Sequence, residues 1–447
     1  MDSVRNRKQP QFLPMAGITA AQSASENSQN NRSGSKRRME AAAHQSLEMS
    51  WPHKILCRSV QKTLFASLPV LPYRDPEILA SIEEIAPALK RQNVSRVLVI
   101  ADPALTGGPV FAEIRRTLSD AGIEMVLFDE VRPNPTTGSV LKAAKIFNGR
   151  RCEAMIAYGG GSSMDLAKAC GASLVHPDRP LSSLAGILKV IHKTPYLIAI
   201  PSTAGTGSET TLAAVLVDEK TRHKFAINDF PLIPDAAVLD DRCVHELPSF
   251  LAAQTGMDAL CHAVEAYIGL SVTRQTGKWA LEAVSLIFEN IDGYVNHSSF
   301  AAERRMLMAS HLAGKAFTRS YVGYIHALSH ALSGQYNLPH GKTNATLMPV
   351  VLREYGSAIF PALSRLAKAA GLQEDPYESD RDLAEKFIEA IEALNERYGI
   401  PAVIPEIELK DLRLLAHNAA KEANPLYPVP VLFTEARLRD IYLKVLG

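Results

Sequence analysis

The chain has few cysteines, and they follow no pairing pattern. Cys57, Cys152, Cys170, Cys243 and Cys261 are scattered, odd in number and without a CxxC spacing. That argues against a disulfide framework or a zinc ribbon and points to a reducing compartment, the cytoplasm. No uninterrupted apolar run approaches the roughly 18 residues a membrane span needs, so no membrane partner is expected. Neither sign of charge is in excess: 48 Lys and Arg stand against 47 Asp and Glu. Such a balance leaves no electrostatic footprint for nucleic acid. What remains is a soluble globular chain of 447 residues, long enough for more than one domain.

Large apolar residues are scarce at the start. Residues 1 to about 50 are rich in Ser, Asn, Gln, Arg and Ala, and Ser23–Ser35 has almost nothing to bury. A disordered tail is expected over 1–50. It lacks the apolar core and cleavage site of a secretory signal. Lys36-Arg37-Arg38 reads either as a targeting patch or as part of a solvated tail, and Met39 or Met49 is an alternative start.

From about Arg96 to Asp240, short apolar runs alternate with helical patterns. Val97–Ile100, Met125–Phe128, Ala154–Tyr158 and Leu197–Ile200 read as buried strands. Val110–Leu118, Thr137–Phe147 and Met164–Leu174 read as helices between them. Strands alternating with helices imply a parallel sheet covered on both faces. After about Asp240 the apolar residues recur at helical spacing, through 252–268, 279–288, 304–317, 362–370 and 382–394. The expected architecture is an α/β dinucleotide-binding half of Rossmann-like type over 51–240 and a helical half over 241–447.

Five motifs carry candidate chemistry. Gly159-Gly160-Gly161-Ser162-Ser163-Met164-Asp165 follows a strand and opens a helix. Glycine admits a pyrophosphate close to the backbone, and a helix start offers free N–H groups. It is not the GxGxxG pattern, and a plain tight turn would look similar. Pro201–Glu209 places small and hydroxylated residues after the next strand, at the sheet edge where ligands bind. Asp102, just past the first strand, is either a partner for an adenosine ribose or a turn former with Pro103. Asp258 and His262 lie four apart, on one face of a helix and able to share a metal ion. Gly256 suggests a helix start nearby, in which case Asp258 is a cap. Finally, His326, His330 and His340 fall within fifteen residues, with Gly334 expected to loosen or end the helix. Three histidines so close, with an Asp/His pair elsewhere, favour metal or acid–base work. Cys261 reads as an apolar filler.

In order and spacing, GGGSSMDLAK, PSTAGTGSE, GMDALCHAVEAYI and HALSHALSGQYNLPHG resemble the iron-containing alcohol dehydrogenase family, over roughly Leu71–Gly447. The resemblance implies a dinucleotide-binding domain, a helical domain and an active site in the cleft between them. It implies metal ligation by Asp258, His262, His326 and His340, with His330 beside the reacting carbon. It implies pyrophosphate contacts at Gly160, Gly161 and Ser162, and cofactor contacts at Thr203, Thr206 and Lys224. At Asp102 it implies a preference for NAD over NADP. Iron is the implied metal, with zinc an alternative because nitrogen-rich sites bind it more tightly. An alcohol or aldehyde substrate and a homodimer are also implied. Glu422–Val431 keeps Asn424-Pro425 but otherwise departs from the family, which leaves the substrate open. Two other readings share the scaffold: a dehydroquinate synthase-like lyase using NAD and a metal, and a non-catalytic assembly protein.

Overall fold

The structure, a computed structural model, describes residues 49–67, 71–219 and 224–447. Of the expected tail over 1–50, residues 1–48, with Lys36–Arg38 and Met39, lie outside the described residues. The first half carries α1 (Trp51–Ser67), β1 (Glu77–Leu79), α2 (Ile85–Arg91), β2 (Arg96–Ala101), α3 (Pro109–Asp120), β3 (Glu124–Phe128), α4 (Thr137–Gly149), β4 (Ala154–Gly159) and α5 (Gly161–Val175). It continues through β5 (Gly186–Ile187), β6 (Tyr196–Pro201), β7 (Ala213–Val217), β8 (Lys224–Asn228) and β9 (Ala236–Val238).

Six of these strands form one parallel sheet in the order β1-β9-β6-β4-β2-β3. The four apolar runs expected as strands are all in it. Their side chains sort by the strand period of two. Leu98, Ile100, Met155, Ala157, Leu197 and Ala199 pack on one face with α4 and α5. Val97, Val99, Ile156, Ile198 and Ile200 pack on the other with α2 and α3. Burial on both faces explains why these strands read as continuous apolar runs. The chain leaves β2 towards β3 and then returns to β4 on the opposite side. The direction of winding therefore switches between β2 and β4, and a crevice opens at their carboxyl ends.

The second half is helical: α6 (Ser249–Ile268), α7 (Arg274–Val295), α8 (Phe300–Ser320), α9 (Tyr324–Tyr336), α10 (His340–Tyr355), α11 (Phe360–Ala369), α12 (Asp380–Arg397), α13 (Leu412–Ala423) and α14 (Glu435–Lys444). One core joins Met257, Leu260 and Val264 of α6 to Ile287, Met306, Leu328, Leu347 and Phe387, and also takes in Cys57 of α1. No helix among the described residues is long and apolar enough to cross a membrane.

Three local expectations are corrected. Gly256 does not mark a helix start: α6 begins seven residues earlier, and a side chain at Gly256 would meet Ile291 and Met306 at 3.2 Å. Asp258 is therefore an interior helix residue and not a cap. Gly334 does not end α9, which runs on to Tyr336 and closes at Asn337 in the left-handed conformation. The small sheet β5-β8-β7 adds to the expected architecture. Its strands β7 and β8 alternate half-buried and buried residues over only five positions each, a short signal.

Candidate active site

The nucleotide-type loops meet at the sheet's switch point. Backbone hydrogen bonds tie them in series: Asp102 N to the Tyr158 carbonyl (3.0 Å) and Ser202 N to the Gly159 carbonyl (3.0 Å). Gly160 caps α5 in an extended conformation and has no side chain to occupy the first-turn N–H groups. A Cβ on Gly161 would lie 3.2 Å from Thr206 Cγ2, and one on Gly160 would lie 3.7 Å from Thr203 Cγ2. The two motifs thus face each other across a narrow gap, with Ser162 half-buried in the first turn of α5. Thr203 Oγ1 is buried without a protein partner. Asp102 accepts a hydrogen bond from Ala104 N at 3.0 Å, so it is a turn former as well as a neighbour of the glycine loop. Beneath the loops, Lys168 is buried and donates to Ser208 Oγ (2.9 Å) and Thr211 Oγ1 (2.8 Å). Asp165 accepts from Ser208 Oγ and from Val215 N, both at 3.1 Å. This pair, Lys168 buried and Asp165 half-buried, braces one loop against the other. Sequence reasoning misses it, although Asp165 and Lys168 stand three apart at the end of the first motif.

The second cluster lies in the helical half. Asp258 and His262 project from one face of α6, His326 comes from α9, and His340 opens α10. One donor atom from each lies within 4.8 Å of the other three. Burial holds the His262 and His326 rings below their usual pKa, and it pushes His340 down to about 3. All three are therefore neutral near pH 7 and present lone pairs. His262 Nδ1 is buried with no hydrogen-bond partner. Asn344 Nδ2 donates to Asp258 Oδ1 at 2.7 Å and lies 3.2 Å from His326 Nε2 and 3.0 Å from His340 Nε2. Acceptors that converge in this way from four directions fit a divalent cation, which needs anionic and neutral-nitrogen ligands together.

Glu265 fixes the orientation of this cluster. Its Oε2 accepts from His326 Nδ1 at 2.6 Å, which leaves Nε2 of that ring as the lone-pair nitrogen. It also accepts from Gly323 N and Ile325 N, both at 2.8 Å, and so caps α9 from a neighbouring helix. A Cβ at Gly323 would stand 2.7 Å from Glu265 Oε1, so the approach requires glycine. Burial lifts the Glu265 carboxyl to about 7 against the pull of those N–H groups. Ser329 Oγ lies 3.2 Å from His340 Nδ1 and performs the matching task for that ring. Sequence reasoning misses Glu265 and Asn344, though each carries a helical spacing signal: seven residues after Asp258, and four after His340. Cys261, beside them, is buried with its thiol pushed well up, in keeping with a filler.

His330 completes the group without joining the four. Its ring stacks on His340 at 5.0 Å between centroids, and its Nδ1 pairs with Glu422 Oε1 at 2.6 Å. Tyr427 OH donates to the same oxygen at 2.7 Å. Burial alone would raise the Glu422 carboxyl, but the neighbouring His330 ring and these hydrogen bonds hold it lower than usual. His330 and Glu422 keep 35% and 33% of their side-chain surface, so this pair reaches solvent. Through Glu422 and Tyr427, the segment 422–431 borders the cluster. It is held in turn by α1: Gln61 Nε2 donates to the Tyr427 carbonyl (2.6 Å), and Arg58 donates to the Val429 (2.7 Å) and Pro430 (2.9 Å) carbonyls.

Lys224 links the two clusters. Burial lowers its pKa, with Asp165 and Glu422 pulling the other way. Its ammonium donates to Asn134 Oδ1 at 2.9 Å, and Asn134 Nδ2 donates to Asn337 Oδ1 at 2.9 Å, at the end of α9.

Comparison with known proteins accords with this arrangement. The model of the family described as iron-containing alcohol dehydrogenase matches residues 79–241, and that of its C-terminal domain matches 252–446. The chain is 33% identical over 371 residues to alcohol dehydrogenase 4 of Saccharomyces cerevisiae, covering 81% of this chain and 94% of that one. It is 32% identical over 345 residues to the NAD-dependent methanol dehydrogenase of Bacillus methanolicus, covering 76% and 90%. Among solved structures, that of 1,3-propanediol oxidoreductase superposes with a TM-score of 0.80 at 32% identity, covering 84% of this chain and 99% of that one. The matched segments span both halves and both clusters, and the chain belongs to the iron-containing alcohol dehydrogenase family.

Proposed function

We propose that this chain oxidises a short primary alcohol or diol to the aldehyde with NAD, or runs the reverse, at a metal held by Asp258, His262, His326 and His340. The observation that carries the reading is the convergence of one carboxylate and three neutral imidazoles within 4.8 Å. Family membership supplies NAD and iron, and Zn2+ suits the same donors. A divalent ion there, when bound, withdraws electron density from the substrate oxygen and eases loss of its proton. A nicotinamide cofactor bound by the glycine and threonine loops would supply the hydride acceptor. Alcohol dehydrogenases are what the matched relatives are called, and nothing favours the lyase or assembly readings.

The chain's own residues do the rest. Gly160, Gly161 and Ser162 offer the α5 N-terminus to the pyrophosphate. Thr203 and Thr206 line the facing wall, with the free Thr203 hydroxyl available to the cofactor. Lys224 sits on the cofactor side of the cleft. His330 receives the alcohol proton and passes it outward: Glu422 accepts from Nδ1, which leaves Nε2 as the base, and the pair is half-exposed. The α/β half, 51–240, and the helical half, 241–447, act as cofactor and metal domains, with α1 resting on the latter. Five unpaired, buried cysteines support a cytoplasmic setting, and family resemblance supports a homodimer.

The reading is tested by following reduced nicotinamide with methanol, ethanol and 1,3-propanediol, each with NAD and with NADP. Turnover with at least one alcohol is expected, with NAD preferred, because Asp102 repels a 2′-phosphate at the switch crevice. In Asp102→Gly, the ratio of kcat/KM for NADP to that for NAD should rise about tenfold, roughly 1.4 kcal/mol. An unchanged ratio would remove Asp102 from cofactor choice. Absence of turnover with every alcohol would overturn the assignment.

A further inference from the structure

We propose a second metal site, built from His245, His297 and Glu303, for a divalent ion of the zinc class. The three residues come from three segments. His245 lies in the connection between the two family-matched regions, His297 just past α7, and Glu303 in the first turn of α8. One donor atom from each lies within 4.8 Å of the others.

Glu303 is the anchor. Its side chain is 0% exposed, and a carboxylate so buried needs positive charge beside it. His245 Nδ1 and His297 Nδ1 each lie 3.0 Å from its Oε1. His297 Nε2 faces the Leu247 carbonyl at 2.7 Å. A carbonyl only accepts, so Nε2 carries the proton, and a neutral His297 turns its Nδ1 lone pair towards the carboxylate. Lone pair against carboxylate requires a cation between them, either an extra proton on the ring or a metal ion. An imidazole fixed by a backbone carbonyl, with its other nitrogen presented to a shared point, is how metal-binding histidines are oriented. Bonds of about 2.1 Å at a tetrahedral ion would put two ligand atoms about 3.4 Å apart, so the 3.0 Å pairs must part by a few tenths of an ångström to admit one.

The site is also reachable. His245 keeps 40% of its side-chain surface, so the ion can enter and water can complete its shell. Two imidazoles and one carboxylate select Zn2+, Co2+ or Ni2+ over Mg2+ and Ca2+. An ion there would tie the inter-half connection to the α7–α8 turn. From that turn α8 runs to Gly314, against which Gly207 of the cofactor-facing loop packs closely.

The test uses the full-length protein loaded with Co2+, freed of unbound ion by gel filtration and analysed for metal. About two ions per chain are expected, given a four-ligand and a three-ligand site. His245→Ala and His297→Ala should each leave one. Asp258→Asn combined with His326→Ala should also leave one, which a further His245→Ala removes. His245 is partly exposed, so its replacement is the variant least exposed to folding defects. Only one ion in the wild-type protein, lost with Asp258 and His326, would show that a proton alone joins the triad. Two ions in both His245→Ala and His297→Ala would place the second ion elsewhere. Either result overturns the proposal and leaves the catalytic assignment untouched.

Discussion

Asp258→Asn should lower turnover by about a thousandfold or more, roughly 4 kcal/mol in the barrier, together with loss of the tightly held metal. The change is small in shape. An asparagine carbonyl still accepts from Asn344 Nδ2, now 2.7 Å from Asp258 Oδ1, so α6 and its core contacts should persist. What disappears is the one anionic donor in a set otherwise made of neutral imidazoles. A divalent ion among three imidazoles and an amide lacks the charge that offsets its own desolvation. NAD affinity should stay within a few-fold, because the glycine and threonine loops belong to β4, β6 and α5. Metal analysis and kcat measured on the same sample check both parts. A variant that keeps turnover without metal would remove the cluster from the chemistry.

Glu265→Gln should weaken metal affinity by about ten- to a hundredfold while leaving all four proposed ligands in place. Glu265 accepts three hydrogen bonds, from His326 Nδ1, Gly323 N and Ile325 N. Glutamine has one carbonyl oxygen, and its amide would set N–H against N–H. Either His326 turns, or the start of α9 loses its cap. Competition against a chelator measures the affinity. Excess metal should restore part of kcat, which a simple folding defect would not allow. Affinity equal to that of the wild type would mean that packing alone orients His326.

The periodic features of the chain are legible in its amino-acid order. Continuous apolar runs such as Ala154–Tyr158 mark strands buried on both faces, and these hold the sheet's centre. Ala236–Val238 is hard to read because three residues with two alanines carry no pattern, although β9 joins β1 to β6. Gly256 and Gly334 mislead because glycine so often marks a helix boundary. At Gly256 it instead lets α7 and α8 approach α6, and tertiary packing outweighs its poor helix propensity. The four expected metal ligands come together within one cluster: helical spacing puts Asp258 and His262 on one face of α6, whereas His326 and His340 arrive from two successive helices. The groups that orient them are less visible. Glu265 acts on His326 across 61 residues, and Glu422 acts on His330 across 92. Only the crossing of α6, α9 and α13 creates those contacts, and no local period announces a crossing. α1 lies ahead of the family-matched region, so the resemblance carries no expectation of its clamp on Tyr427–Pro430.

One ion held by Asp258, His262, His326 and His340 should be what makes alcohol oxidation by NAD possible. The most direct measurement follows reduced nicotinamide in the wild-type protein as purified, after chelation, and after return of Fe2+ or Zn2+, with His326→Ala carried in parallel. Activity should vanish on chelation, return in the wild type in proportion to metal bound, and fail to return in His326→Ala. Turnover that survives complete metal removal, or that returns equally in His326→Ala, would contradict the claim.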